Sequence, residues 1–297
     1  MPHYTAFGFV IESDLIFPEL EQATGEIDIV IKQKKISIPS NWSENKGIRT
    51  IASLSSIIVG VSNILILEII EGKYIHYQPQ EAFIEGKARL YILGLAFSAI
   101  IHQRGLLPLH ASSLVKEGKA VLICGESGAG KSTTAAALLQ HGFELLSDDI
   151  SLIQLDAKGE VEVLPGFPHL KLWPESAELL QVDENELTSF SSDILKKGWR
   201  LKHSYYQQSA KISMVCFLSK QDSSFSLVEV DGINKVKMLI DNTFRIRYVS
   251  DTGQHQAFFT TTSKLASSVK FYSIIRPLNQ NSIRDVVDLI MSQLTKL

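Results

Sequence analysis

The sequence predicts an α/β chain in two parts, a small β-rich N-terminal domain over residues 1–81 and a larger α/β domain over 82–297. Three observations predict it. Residues 4–80 alternate short β-branched runs with polar turns, a glycine-rich loop near residue 125 joins an apolar run to an alanine-rich one, and an amphipathic stripe closes the chain. With 297 residues, 45% of them hydrophobic, there is apolar material for one large core and a small one.

The elements follow in order. Residues 27–32, 64–70 and 74–77 read as strands, the last two joined by the turn Glu71-Gly72-Lys73. Residues 82–103 read as a helix bridging the two parts. Its apolar stretch, 90–101, is about twelve residues long against the roughly twenty that span a bilayer, so it is expected in the core. Residues 109–115 and 120–124 read as a hairpin, because the polar residues between them are too few for a parallel crossover. A helix over 132–141, closed by Gly142, leads to a strand over 143–147. A right-handed crossover makes that strand parallel to 120–124, so both end on one edge of the sheet. A strand over 151–155 and a turn over 156–159 follow. Near the end, Ser282 is expected to cap a helix whose Ile283, Val286, Val287, Ile290, Met291, Leu294 and Leu297 form one stripe.

Chemistry concentrates around the loop. Gly125-Glu126-Ser127-Gly128-Ala129-Gly130-Lys131-Ser132 fits G-x-x-x-x-G-K-[ST] and is followed by Thr133. Successive N–H groups of such a loop surround phosphate oxygens, the helix N-terminus adds its positive dipole end, and Lys131 adds a point charge. Ser132 supplies a hydroxyl oxygen for magnesium. The pattern therefore predicts ATP and Mg2+, with residues 125–133 binding the nucleotide. Asp148 and Asp149, 17 and 18 residues after Lys131, arrive at the same sheet edge. Because strand residues alternate faces, one carboxylate of the pair is expected to face the metal or acceptor unless the strand has already ended. His110, starting the strand antiparallel to 120–124, is expected near the terminal phosphate.

These residues resemble HPr kinase/phosphorylase: the loop, His110 placed 21 residues before Lys131, and the aspartate pair after it carry the resemblance, mainly over 105–155. It implies a P-loop kinase core of the HPr kinase and phosphoenolpyruvate carboxykinase type. It places that family's active histidine, loop lysine and catalytic aspartate on His110, Lys131 and Asp149, and it implies a homo-oligomer. The segment Pro165-Gly-Phe-Pro-His-Leu-Lys-Leu-Trp-Pro174 and the opening Tyr4-Thr-Ala-Phe-Gly-Phe9 resemble a shorter subgroup encoded with lasso-peptide biosynthesis, which implies phosphorylation of a serine at a precursor peptide's C-terminus. Two departures matter. Glu162-Val-Leu-Pro-Gly166 stands where bifunctional members carry a glutamate before a glycine-rich segment, and their later proline- and arginine-rich segment has no counterpart. Phosphorylase activity and HPr as substrate are not expected.

The catalytic expectation is that Asp149 accepts the proton of an acceptor serine, that Ser132 and Asp148 hold magnesium, and that Asp148 or His110 positions the phosphate. Phosphoryl transfer also profits from a further cation. Arg200, in the basic cluster 196–202, is the candidate, with Arg245 and Arg247, on one strand face by period two, as competitors. His169 is a loop residue that lines the acceptor site or serves no catalytic purpose. Residues 182–206, acidic and then basic, read as the flexible or substrate-facing segment.

A net charge of −3 gives no case for nucleic acid or an anionic membrane. Cys124 and Cys216 lie in apolar runs without metal spacing, and Glu12 and Asp14 interrupt any leader-like opening, so a cytoplasmic setting is expected. The partner is then a peptide or protein bearing the acceptor serine. The alternatives are a small-molecule kinase, which would share every phosphate-site residue, and a nucleotide-binding sensor, against which Asp149 argues.

Overall fold

The computed structural model describes residues 1–39, 42, 47–190, 194–201, 203–278 and 280–297. The N-terminal strands are β1 (His3–Ala6), β2 (Phe9–Ser13), β3 (Glu21–Gln22), β4 (Ile29–Gln33), β5 (Ile48–Ala52), β6 (Ser56–Val61), β7 (Leu65–Ile70) and β8 (Tyr74–Pro79). They form one eight-stranded sheet in the order β3-β1-β2-β4-β8-β7-β6-β5. Only β2–β4 and β4–β8 pair in parallel. The β1–β2 turn puts Phe7 and Gly8 at φ 55° and 75°, the two left-handed residues of a type I′ hairpin. A left-handed phenylalanine costs roughly 1–2 kcal/mol, and packing offsets it. The Phe7 ring is buried against Phe97 and Phe167, and its N–H donates to Gly166 O at 3.2 Å.

The bridging helix is α1 (Glu85–Tyr91) and α2 (Phe97–Gln103), joined by a π-helical turn at Ile92–Ala96. Phe97 to His102 are all buried. One apolar cluster runs from the N-terminal sheet through this helix to Ile150, Leu152, Phe167 and Tyr248, so the two parts share a core.

The second sheet has nine strands. Along the path β12-β10-β11-β18-β14-β13-β9 lie β12 (Glu144–Ser147), β10 (Ala111–Lys116), β11 (Lys119–Gly125), β18 (Ala210–Gln221), β14 (Val161–Leu164), β13 (Ser151–Leu155) and β9 (Leu107–Leu109). Beside β18 lies β20 (Lys270–Pro277), which pairs with β19 (Ser226–Val230). The β10–β11 hairpin is present, closed by Glu117 and Gly118 at φ 53° and 76°. Helix α3 (Lys131–Leu139) leads through Gly142 to β12. Since β12 is antiparallel to β10, and β10 to β11, β12 runs in the direction of β11 and ends at the same edge. A small sheet of β15 (His169–Leu172), β17 (Lys197–Arg200) and β16 (Leu187–Ser189) lies beyond it, with α4 (Pro174–Leu179) after β15. Helices α5 (Ile233–Asp241), α6 (Arg247–Asp251), α7 (His255–Ser268) and α8 (Ile283–Thr295) complete the chain.

Three expectations need correction. Ser282 occupies the N-cap of α8 without capping it, because its hydroxyl accepts from Arg276 Nε at 3.0 Å. Arg245 sits in a turn at φ 53° and Arg247 opens α6, so no strand face joins them. His169 belongs to a strand rather than a loop, and is buried. Within 182–206, residues 187–189 and 197–200 form β16 and β17, while 191–193 and Lys202 lie outside the described residues. Of the α8 stripe, Val286, Val287, Ile290 and Leu294 are buried and Leu297 is exposed. No helix among the described residues is long and apolar enough to cross a membrane.

Candidate active site

The loop leaves the C-terminal end of β11 with Gly125 at φ 143°, Gly128 at 84° and Gly130 at 99°. Two of these positions tolerate no side chain. A Cβ on Gly125 would overlap Leu218 O of the neighbouring strand, and one on Gly130 would overlap the Arg276 guanidinium. Gly125 N–H is fixed by Asn242 Oδ1 at 3.0 Å. Helix α3 starts at Lys131 with no side-chain cap, which leaves first-turn N–H groups free for an anion. Lys131 curls back under the loop, its Nζ 2.7 Å from Gly125 O and 3.1 Å from Glu126 O. Burial lowers the pKa of this ammonium, and Asp149 and Asp148 partly restore it.

The aspartates sit just past the end of β12. Asp148 accepts from Ser112 Oγ at 2.6 Å, from Ser132 Oγ at 3.1 Å and from Lys171 N–H at 3.0 Å. Asp149 is left-handed at φ 71°. That turn brings its carboxylate into the same cleft as Asp148, so both line it, because the strand has ended before the alternation rule applies. Lys171 Nζ pairs with Asp149 Oδ2 at 2.8 Å, while Oδ1 has His110 Nδ1 at 3.6 Å. The Lys171 ammonium holds the Asp149 carboxyl well below the usual carboxylate range against the opposing effect of burial. Burial alone would depress Lys171, and Asp149 outweighs it, leaving that lysine raised.

His110 falls between β9 and β10. Its N–H donates to Asn242 O at 2.8 Å, and Nδ1 donates to Asp149 O at 2.9 Å. Burial, then repulsion from Lys131, lowers the imidazole pKa. The ring is therefore neutral near pH 7, with its proton on Nδ1, since a carbonyl only accepts.

These side chains line a cleft of about 410 Å³ that runs past Lys131 and Ser132 to Trp173 and Lys196. A second cleft, of about 780 Å³, lies across the loop and shares His110, Ser127, Gly128 and Lys220 with the first. The donors suit a nucleotide with magnesium. Ser132 Oγ and Asp148 Oδ1 lie 3.1 Å apart beside the loop, hard oxygen donors of the kind Mg2+ takes together with phosphate oxygens and water.

Arg200 is not part of this arrangement. It lies opposite His169 in the β15–β17 pairing and turns to the N-terminal sheet, bonding Pro18 O at 2.6 Å and Glu21 at 2.9 Å. The cations that line the first cleft besides Lys131 are Lys171, Lys196, Lys220 and Arg276. Lys171 had a signal in the sequence. His169 and Lys171 alternate with the buried Leu170 and Leu172, which puts both polar residues on the strand face opposite the apolar core. Asn242 and Arg276 had none, because each reaches the site from a distant segment.

A family model described as SynChlorMet cassette protein ScmC matches residues 90–272. A 49-residue stretch is 49% identical to the HPr kinase/phosphorylase of Lactobacillus delbrueckii subsp. bulgaricus and spans 16% of this chain and 16% of that relative. The solved structure of the Hpr(Ser) kinase/phosphatase from Coxiella burnetii aligns with a TM-score of 0.35 at 14% identity, over 64% of this chain and 97% of that one.

Proposed function

The chain belongs to the SynChlorMet cassette protein ScmC family, and we propose that it is an ATP- and Mg-dependent kinase that phosphorylates a serine hydroxyl on a peptide or protein. One observation carries this reading. The Ser132–Asp148 oxygen pair, the Lys131 ammonium and the Asp149 carboxylate converge on one cleft at the mouth of a glycine loop. That set covers metal, phosphate and proton, the needs of phosphoryl transfer.

In this reading the loop N–H groups and Lys131 hold the phosphates, and Ser132 with Asp148 would hold magnesium, which when bound would supply charge neutralisation at the phosphates. The acceptor oxygen bonds to the γ phosphorus as the bond to the β-bridging oxygen breaks, ADP departs, and the hydroxyl proton passes to Asp149. Oδ1 is the receiving atom, because Oδ2 is engaged by Lys171. Lys171 and Arg276 take the charge-stabilising place expected of Arg200. The lasso-precursor resemblance supports a peptide ending in serine as acceptor. We propose residues 82–297 as the catalytic part and 1–81 as the part that buttresses it through Phe7 and Arg200.

Calorimetric titration with Mg·ATP tests the phosphate site. The wild type is expected to bind and Lys131→Ala to bind at least tenfold more weakly; equal affinity would remove the loop from the mechanism.

A further inference from the structure

The first cleft has two chemically different ends. Around Asp149, Lys171 and His110 it is charged and fitted to the phosphoryl group in transit. Around α4 the lining is Leu172, Trp173, Glu175, Ser176 and Leu179, with Lys196 beside them. Trp173 is 42% exposed and Leu179 49% exposed, so both side chains keep accessible apolar surface where they line the cleft.

Their place is fixed. Trp173 is the N-cap residue of α4, and Ser176, one turn on, bonds Thr133 of α3 through its hydroxyl at 2.8 Å. The indole therefore stands beside the start of α3, two residues beyond Lys131. Lys196 Nζ lies 5.5 Å from the Trp173 ring centroid. Lys196 lines the same cleft as Lys131 and Asp149.

We propose that Trp173 is the nucleobase platform of this site: a purine stacks on the exposed indole while Lys196 faces the ribose-proximal phosphate. The proposal rests on the phosphate-site reading above. Its logic is directional. With the terminal phosphate at Asp149 and Lys171, a nucleoside triphosphate must extend away from them, and within this cleft that direction leads along α3 past Thr133 to Trp173. Aromatic stacking suits a ligand with a large π face, and the Lys196 ammonium over one face of the ring suits the adjoining phosphate, leaving the other face for the base. The assignment leaves the second cleft, which meets the first at His110, Ser127 and Gly128, for the acceptor.

Calorimetry with two probes, Mg·ATP and Mg·tripolyphosphate, tests it on wild type, Trp173→Ala and Trp173→Phe. Tripolyphosphate carries the charge without the base. The wild type should prefer ATP, and Trp173→Ala should lose roughly 5- to 100-fold in ATP affinity with tripolyphosphate affinity unchanged, as removal of a stacking aromatic does elsewhere. Trp173→Phe should retain most of the ATP affinity. Unchanged ATP binding in Trp173→Ala, or equal loss for both probes, overturns the platform while leaving the phosphate site standing. Failure of the wild type to bind either probe removes the phosphate site, and the platform with it.

Discussion

Lys171 touches both aspartates of the site, its ammonium 2.8 Å from Asp149 Oδ2 and its main-chain N–H 3.0 Å from Asp148 Oδ2. One β15 residue thus sets the position of both carboxylates, and through its charge the basicity of Asp149.

The pH dependence of transfer follows from that contact. Asp149 is depressed by Lys171, so the ionised base persists to a pH well below the usual carboxylate range. In Lys171→Met the largest attraction is gone and burial is opposed only by the lesser pull of His110 and Lys196, which raises the carboxyl. The acid limb of kcat is expected to move up by about one unit or more. The pair also stabilises the fold above the ordinary carboxylate value, and that contribution fades as pH falls through the depressed one. An acid limb that stays in place would remove Lys171 from control of Asp149.

Asp149→Asn keeps the shape and loses the proton acceptor. Transfer should fall about 10²- to 10⁴-fold with Mg·ATP affinity preserved, measured by single-turnover labelling beside calorimetry. Full activity in this variant would move the base elsewhere, with neutral His110 as the nearest substitute.

Arg276 supports the loop from beneath. Its Nη1 donates to Ala129 O at 2.8 Å and its Nε to Ser282 Oγ at 3.0 Å, and it is 7% exposed. Arg276→Ala should cost about 2 kcal/mol of stability, from hydrogen bonds to a charged donor, and should weaken Mg·ATP binding. Gly130→Ala should do the same from the other side, since its Cβ would meet the guanidinium. Denaturant melts of both variants check this.

Arg200→Ala should leave transfer within about twofold of the wild type. Its ion pair with Glu21 is more than a third exposed on both sides, which puts its worth at roughly 0–1 kcal/mol. A large loss of kcat would return Arg200 to the site.

Buried His169 gives a stability signature. Burial, with Lys171 and Arg200 nearby, lowers its pKa from the ordinary 6.5 to about 4. Between those values the unfolded chain takes up a proton that the native one refuses, so stability falls as pH drops from 6.5 towards 4 and levels off below. The difference between wild type and His169→Gln should change by roughly 3 kcal/mol across that window. A parallel pair of curves would contradict it.

The glycine loop, hairpin and aspartate pair were legible in the sequence because each follows from local rules: glycine spacing, a turn too short for a crossover, and crossover handedness. Of the N-terminal strands, β4, β7 and β8 were legible as β-branched runs between polar turns. The rest depends on contacts between distant segments. Arg200 reads as a free cation in a basic cluster, yet Glu21 and Pro18, about 180 residues earlier, capture it. Ser282 has the residue type of a cap, and Arg276 takes its hydroxyl. Asp148 and Asp149 both line the cleft because the strand ends at Ser147, the exception the alternation argument allowed; the left-handed backbone of Asp149 is what residue type alone does not announce.

The most direct test of the central claim is incubation of the protein with Mg2+, γ-labelled ATP and a peptide ending in serine. The expected result is label on the serine hydroxyl, absent with Lys131→Ala and strongly reduced with Asp149→Asn. Tight ATP binding with no label on any peptide, or label carried to a small metabolite instead, would contradict the assignment as a peptide or protein serine kinase.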